Sequence, residues 1–170
     1  MSAYLLDTSV LIALVDRNHM FHATATNTIA AMASGDLQFV SVISIGEIRT
    51  GVASVRRVHG RTPIHATQVL MAAQARSLLP INTHVAETYG DLKAAMVSKF
   101  MPKASRNKPA SHLEDWINHA SGKRLGINEN DLWICAQGFE RDLHVITCDT
   151  GFARVQDAEP RLALSVLRAI

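Results

Sequence analysis

Met1-Ser-Ala-Tyr-Leu-Leu-Asp7-Thr8-Ser9-Val-Leu-Ile12 decides how the rest of the chain is read. Ala3 to Leu6 is a short apolar run that stops at a carboxylate, and Val10 to Val15 is apolar again. A buried strand followed by a short helix accounts for both runs. The strand delivers Asp7 to its C-terminal edge, where an open α/β sheet binds its ligands. A charge at the end of a buried strand is costly without a partner.

Outward from this stretch the alternation continues. Phe21 to Met32 is an Ala- and Thr-rich helix closed by Ser34-Gly35-Asp36, with Gly35 as its C-terminal cap. Leu37 to Val42 is a second strand, and a helix beginning near Ser44 carries Ile45, Glu47 and Ile48 up to Gly51. Ser44 followed three residues later by Glu47 fits a capping box. Pro63 suits the first turn of a helix from Ile64 to Ser77, Leu78 to Ile81 is a short strand, and Thr83 to Met101 has helical spacing. Asn128 or Asn130 caps a helix from Asp131 to Glu140. Leu143 to Cys148 is a strand ending at Asp149, a turn follows at Thr150-Gly151-Phe152, and Ala163 to Leu167 is a last short strand. Strands alternating with helices predict an α/β fold, an open and mostly parallel sheet of about five strands with helices on both faces.

At 170 residues the chain is expected to form one domain, 1–170, with an insertion at about 102–124 that carries Lys103, Arg106, Lys108, Lys123 and Arg124. With 17 Lys and Arg against 15 Asp and Glu, net charge alone selects no partner. Cys135 and Cys148 are too few for a disulfide scaffold and form no metal-type pair. Asp7 interrupts the N-terminal apolar run before a signal peptide could form, and no stretch is long enough to span a bilayer. The expectation is a cytoplasmic protein.

Four acids stand out by position. Asp7 and Asp149 each end an apolar strand, Glu47 lies early in the helix after the second strand, and Asp131 opens a helix after a polar loop. Asp7 and Asp149 point off the same edge of a parallel sheet, and Glu47 and Asp131 fall on that C-terminal side whenever the segment preceding their helix is a parallel strand. Gathered in one crevice they repel unless a cation holds them. Oxygen ligands suit Mg²⁺ or Mn²⁺, which activates water and stabilises the leaving oxygen of a phosphodiester. The plain structural alternative is that Glu47 and Asp131 each favour a helix N-terminus.

These blocks carry a resemblance. Leu5-Leu-Asp7-Thr8-Ser9-Val-Leu-Ile-Ala-Leu14 resembles the opening of PIN domains. Ser41-Val-Ile-Ser44-Ile-Gly-Glu47-Ile-Arg-Thr-Gly51 is similar to their second motif, Asn130-Asp131-Leu-Trp-Ile-Cys-Ala136 to their third, and Val145-Ile-Thr147-Cys-Asp149-Thr-Gly-Phe152 to their fourth. Within that family the chain most resembles the toxins of VapBC-type toxin–antitoxin pairs. The resemblance implies that Asp7, Glu47, Asp131 and Asp149 are the catalytic and metal-binding acids, with Ser9 and Thr147 supporting them. It also implies Mg²⁺ or Mn²⁺ dependence, endonucleolytic hydrolysis of tRNA, rRNA or mRNA, a homodimer, and inhibition by a cognate antitoxin. Cys135 departs from the common alanine, and the 102–124 insertion departs in length.

Arg49, Arg56, Arg57 and Arg61 form a run with no acid between them, and with Lys103, Arg106 and Lys108 they are candidate RNA contacts. Solvated helix faces are the competing explanation. Trp116 fits packing better than base stacking, whereas Trp133 either lines the cleft or belongs to the core. His19 and His22 fit surface or capping roles better than metal binding, and Glu129 is the one spare acid for a second cation. Three other functions compete. A PIN nuclease of RNA maturation would lack an antitoxin. Phosphoryl-aspartate chemistry of the haloacid-dehalogenase kind wants an Asp where Ser9 stands. A non-catalytic RNA-binding module has no reason to keep all four acids.

Overall fold

The computed structural model describes residues 1–102 and 112–169. Five strands form one sheet: β1 (Ala3–Leu6), β2 (Leu37–Ser41), β3 (Ser77–Leu79), β4 (His144–Thr147) and β5 (Leu164–Val166), in the order β3-β2-β1-β4-β5. β1 pairs in parallel with β2, Leu6 opposite Val40, and with β4, Leu6 opposite Ile146; β2 pairs in parallel with β3. From β1 the chain steps outward through β2 to β3, then returns to place β4 on the other side of β1. The order therefore reverses between β1 and β4, and the C-terminal ends of those strands flank the crevice in which such sheets bind ligands. This is the α/β fold read from the sequence.

Seven α-helices accompany the sheet among the described residues. They are α1 (Thr8–Val15), α2 (His22–Ala30), α3 (Val42–His59), α4 (Ile64–Gln74), α5 (Thr83–Phe100), α6 (Glu129–Glu140) and α7 (Phe152–Ala158). The chain divides into two compact units. The first comprises residues 1–80, 144–149 and 165–170. Its core joins Leu6, Val40 and Ile146 of the sheet to Val10 and Leu11 of α1, Ile48 of α3 and Val69 of α4. The second comprises 81–143 and 150–164, where α5 packs against α6 and α7, and Val85, Leu92, Met96, Leu132 and Phe152 are all buried. No helix among the described residues is long and apolar enough to cross a membrane.

Several elements differ from expectation. β2 runs directly into α3, because the Ser41 hydroxyl accepts from Ile43 N at 3.0 Å and caps the helix. Ser44 is thus buried inside α3, and the expected Ser44–Glu47 capping box does not form. Gly51 does not end that helix: space is open where its Cβ would stand, and the helix continues to a left-handed cap at Gly60 (φ 63°). α2 likewise ends at Ala31, in right-handed geometry, ahead of Gly35. α7 occupies the stretch after Asp149, where only a turn was expected. In the 102–124 region the described part holds a 3₁₀ turn (Leu113–Asp115) and an isolated antiparallel bridge between Ile117 and Arg124. Its Leu113 and Trp116 are buried, so Trp116 packs rather than waits for a base. Lys103, Arg106 and Lys108 lie outside the described residues.

Candidate active site

Asp7 is the residue following β1, and it is only 4% exposed. Its backbone nitrogen still bonds the sheet, donating to the Ile146 carbonyl at 3.0 Å, while its side chain caps α1 by accepting from Ser9 N at 3.3 Å. Capping alone does not explain what surrounds it. The Ser9 hydroxyl donates to Asp7 Oδ2 at 2.5 Å, and the Thr147 hydroxyl donates to the same oxygen at 2.8 Å. Each hydroxyl in turn accepts a backbone N–H from the end of β4: Cys148 N to Ser9 Oγ at 2.9 Å, and Asp149 N to Thr147 Oγ1 at 2.9 Å. Two parallel relays thus run from the β4 terminus through a hydroxyl to one carboxylate oxygen. Oδ1 carries none of these bonds.

The electrostatics follow from this geometry. Burial pushes the Asp7 carboxyl above its ordinary value, and the Ser9 and Thr147 hydroxyls oppose that shift without cancelling it. Beside it, Cys148 is buried and its thiol is pushed up to about 11, so it offers no thiolate.

Glu47 joins the same neighbourhood from α3, its Oε2 accepting the Thr8 hydroxyl at 2.5 Å. Asp149 is exposed just past β4, its backbone tied to Thr147. Within the first unit the hydrogen-bond pattern therefore links Asp7, Ser9, Thr147 and the Asp149 backbone directly, and brings Glu47 to the residue next to Asp7.

Asp131 belongs to the second unit. It is 7% exposed and forms a reciprocal capping box with Asn128: Asp131 N donates to Asn128 Oδ1 at 2.9 Å, and Asn128 N donates to Asp131 Oδ2 at 3.0 Å. The helix-terminal role is real for this acid. Glu129, two residues earlier, is held from α5: Lys93 Nζ donates to its Oε1 at 2.6 Å, and the Tyr89 hydroxyl donates to its Oε2. Lys93 also donates to the Tyr89 oxygen at 2.7 Å. That clamp commits the acid considered for a second cation. Trp133 stacks on Tyr89 at 3.9 Å between ring centroids, four residues along the helix from Glu129 and on its face. Asp131 stands some 200° from Trp133 around α6, so the tryptophan packs on α5 instead of lining a cleft with that acid.

Sequence reading missed the Thr8–Glu47 bond and the Tyr89–Lys93–Glu129 clamp. Thr8 carried a signal, a hydroxyl beside the strand-ending acid, whereas the clamp joins residues about 40 apart. His19 and His22 hold local backbone instead of a metal: Phe21 N donates to His19 Nδ1, and His22 Nδ1 bonds the Ala13 carbonyl at 2.8 Å.

Among the described residues no group of three or more His, Cys, Asp and Glu side chains is arranged to hold a metal ion. The donor chemistry nevertheless fits a hard divalent cation. Mg²⁺ takes one or two carboxylates and keeps waters for its other positions, and Asp7 and Glu47 are both oxygen donors in one neighbourhood.

A parallel sheet with a buried, hydroxyl-braced acid at its switch point defines an α/β protein with an acidic site at the C-terminal edge of its strands. The chain belongs to the PIN domain family, whose model matches residues 4–158. Among solved structures it is similar to a chain of VapBC2 from Rickettsia felis bound to a DNA fragment from their promoter, at 16% identity over 98% of this chain and 99% of that one, with a TM-score of 0.65. It is also similar to a chain of VapBC-5 from Mycobacterium tuberculosis, at 24% identity over 99% and 100% with a TM-score of 0.58. A chain of VapBC-1 from nontypeable Haemophilus influenzae matches at 19% identity over 96% and 97%, with a TM-score of 0.60. At these identities the likeness is one of fold. No curated protein matches the sequence.

Proposed function

We propose that the chain is a divalent-metal-dependent endoribonuclease, the toxin of a type II toxin–antitoxin pair, with 1–170 acting as one PIN-like domain. The observation that carries this reading is Asp7, a buried acid at the β1–β4 switch point whose Oδ2 is fixed by two hydroxyls while Oδ1 has none of those bonds. An acid held in this way is oriented to present one oxygen as a ligand. Membership of the PIN family and likeness in fold to chains of VapBC assemblies support the nuclease and its antitoxin partner.

In this mechanism Asp7 and Glu47 would hold Mg²⁺ or Mn²⁺, and Asp131 and Asp149 are the further acids that the family resemblance assigns to catalysis. When bound, the cation supplies charge that lowers the pKa of water and stabilises the leaving oxygen of a phosphodiester. Ser9 and Thr147 keep Asp7 in one rotamer, and Thr8 does the same for Glu47. Ser9 also weighs against phosphoryl-aspartate chemistry, because the position two residues after Asp7 is a donor to that acid and supplies no second carboxylate. RNA is the substrate, the active form is a homodimer, and the antitoxin is a separate protein that silences it.

Induced expression in a bacterial host tests the toxin reading. Wild type is expected to arrest growth, Asp7→Asn is expected not to, and co-expression of the cognate antitoxin is expected to restore growth. Equal arrest by both proteins removes Asp7 from the mechanism, and growth unaffected by wild type removes the toxin.

A further inference from the structure

We infer that the groove between α3 and α4 is a second RNA-binding site, separate from the carboxylates, that holds backbone phosphates of a substrate long enough to pass around α3. This inference rests on the reading that the chain acts on RNA. The groove has a volume of about 470 Å³ and is lined by Arg49, Arg56 and Arg57 of α3 and by Thr67 of α4, with Val52 and Leu70 between them.

Its charge is one-sided. From Leu37 to Ala86 the chain carries five arginines and a single acid, Glu47, which already accepts the Thr8 hydroxyl. Arg49, Arg56 and Arg57 are exposed and make no salt bridge among the described residues. Arg56 and Arg57 lie in the last turn of α3, where cations favour the helix dipole. Arg49 lies mid-helix and has no such duty, yet it faces the same groove. Unpaired guanidiniums gathered around one concavity recognise phosphates, and guanidinium planes with apolar neighbours also accept base faces.

Helical geometry sets this groove apart from the acidic site. At 100° per residue, Arg49 stands about 200° around α3 from Glu47, on the opposite face. Arg56 lies nine residues further along than Glu47, or about 14 Å at 1.5 Å per residue. One phosphate cannot touch both, so the substrate is a chain of several nucleotides reaching from the carboxylates around the helix to the arginines. An acidic protein segment is the competing occupant, but it would need no such continuity with the cutting site.

The test is fluorescence anisotropy of a labelled oligouridylate of about twenty nucleotides, longer than a single-strand site of about 4–16, in chelator across a salt series. Three proteins are compared: wild type, R49Q/R56Q/R57Q and R17Q, the last altering an exposed arginine just past α1 that does not line the groove. Three lost phosphate contacts at about 0.7 each should make the log–log salt slope shallower by about 2 in the triple variant only. In cleavage with Mn²⁺, the triple variant should raise KM for long RNA several-fold and leave kcat unchanged. An unaltered slope, an equal change in R17Q, or no binding by wild type each overturns the groove. Cleavage without an arginine-dependent slope removes only the groove; arginine-dependent binding without cleavage removes only the nuclease reading.

Discussion

Replacing Ser9 with alanine attacks the site at its most connected atom. Ser9 Oγ donates to Asp7 Oδ2 at 2.5 Å and accepts from Cys148 N at 2.9 Å. The variant loses a bond to a charged group, worth about 1.5–3 kcal/mol, and leaves a buried backbone N–H unsatisfied at about 1–3 kcal/mol. Some relaxation is expected, so the total loss is about 2–4 kcal/mol at neutral pH. Its pH dependence is the sharper signature. Burial raises the Asp7 carboxyl above 3.8 and the Ser9 bond opposes this, so removing Ser9 raises it further. A group whose folded pKa is raised contributes stability that is complete below its unfolded value and is lost as pH rises through the folded one. Wild type loses stability in that window and Ser9→Ala loses more, so the gap between them widens as pH rises. It narrows as pH falls toward 3.8. Urea unfolding at a series of pH values, with m unchanged, reads the gap directly. A gap below about 0.5 kcal/mol at pH 7, within the scatter of ordinary surface substitutions, or a gap that does not narrow in acid, refutes the relay.

The Lys93–Glu129 pair, each side chain about a quarter exposed, should give a double-mutant coupling of about 1–2 kcal/mol in a Lys93→Met, Glu129→Gln cycle, between surface and buried pairs. Burial pushes the Glu129 carboxyl up, but the Lys93 and Tyr89 bonds leave it below 4.5, so the coupling should persist above that value and fade as pH falls through the lowered one; a coupling indifferent to acid counts against the clamp. Both cysteines are buried, and Cys148 is held near pKa 11, so a thiol reagent at mildly alkaline pH should label neither in the native protein and both in denaturant. One fast-reacting thiol would contradict that packing.

The parallel sheet was legible because its signals are local: short apolar runs, each stopped by a polar residue, with helical spacing between them. Asp7 was legible for the same reason. Boundaries were harder. Ser44 and Glu47 spell a capping box, but Ser41 captured the helix start because β2 enters α3 without a turn. Gly51 reads as a stop, yet nothing crowds it and α3 runs on to Gly60, the glycine with positive φ. α7 was missed because Asp149-Thr-Gly-Phe has turn composition and its helix is only seven residues long. The relays through Ser9 and Thr147 join residues about 140 apart, beyond the reach of spacing rules. Family resemblance singled out those hydroxyls; the hydrogen bonds explain how they act on Asp7.

The decisive measurement of the role of Asp7 is cleavage of total cellular RNA by the purified protein, with Mg²⁺, with Mn²⁺ and with chelator, beside Asp7→Asn. A metal-dependent nuclease built on Asp7 gives discrete fragments that require both metal and Asp7, with the Asp7→Asn protein still folded because its side chain keeps the same size. Equal cleavage by Asp7→Asn, or cleavage that survives the chelator, would contradict it.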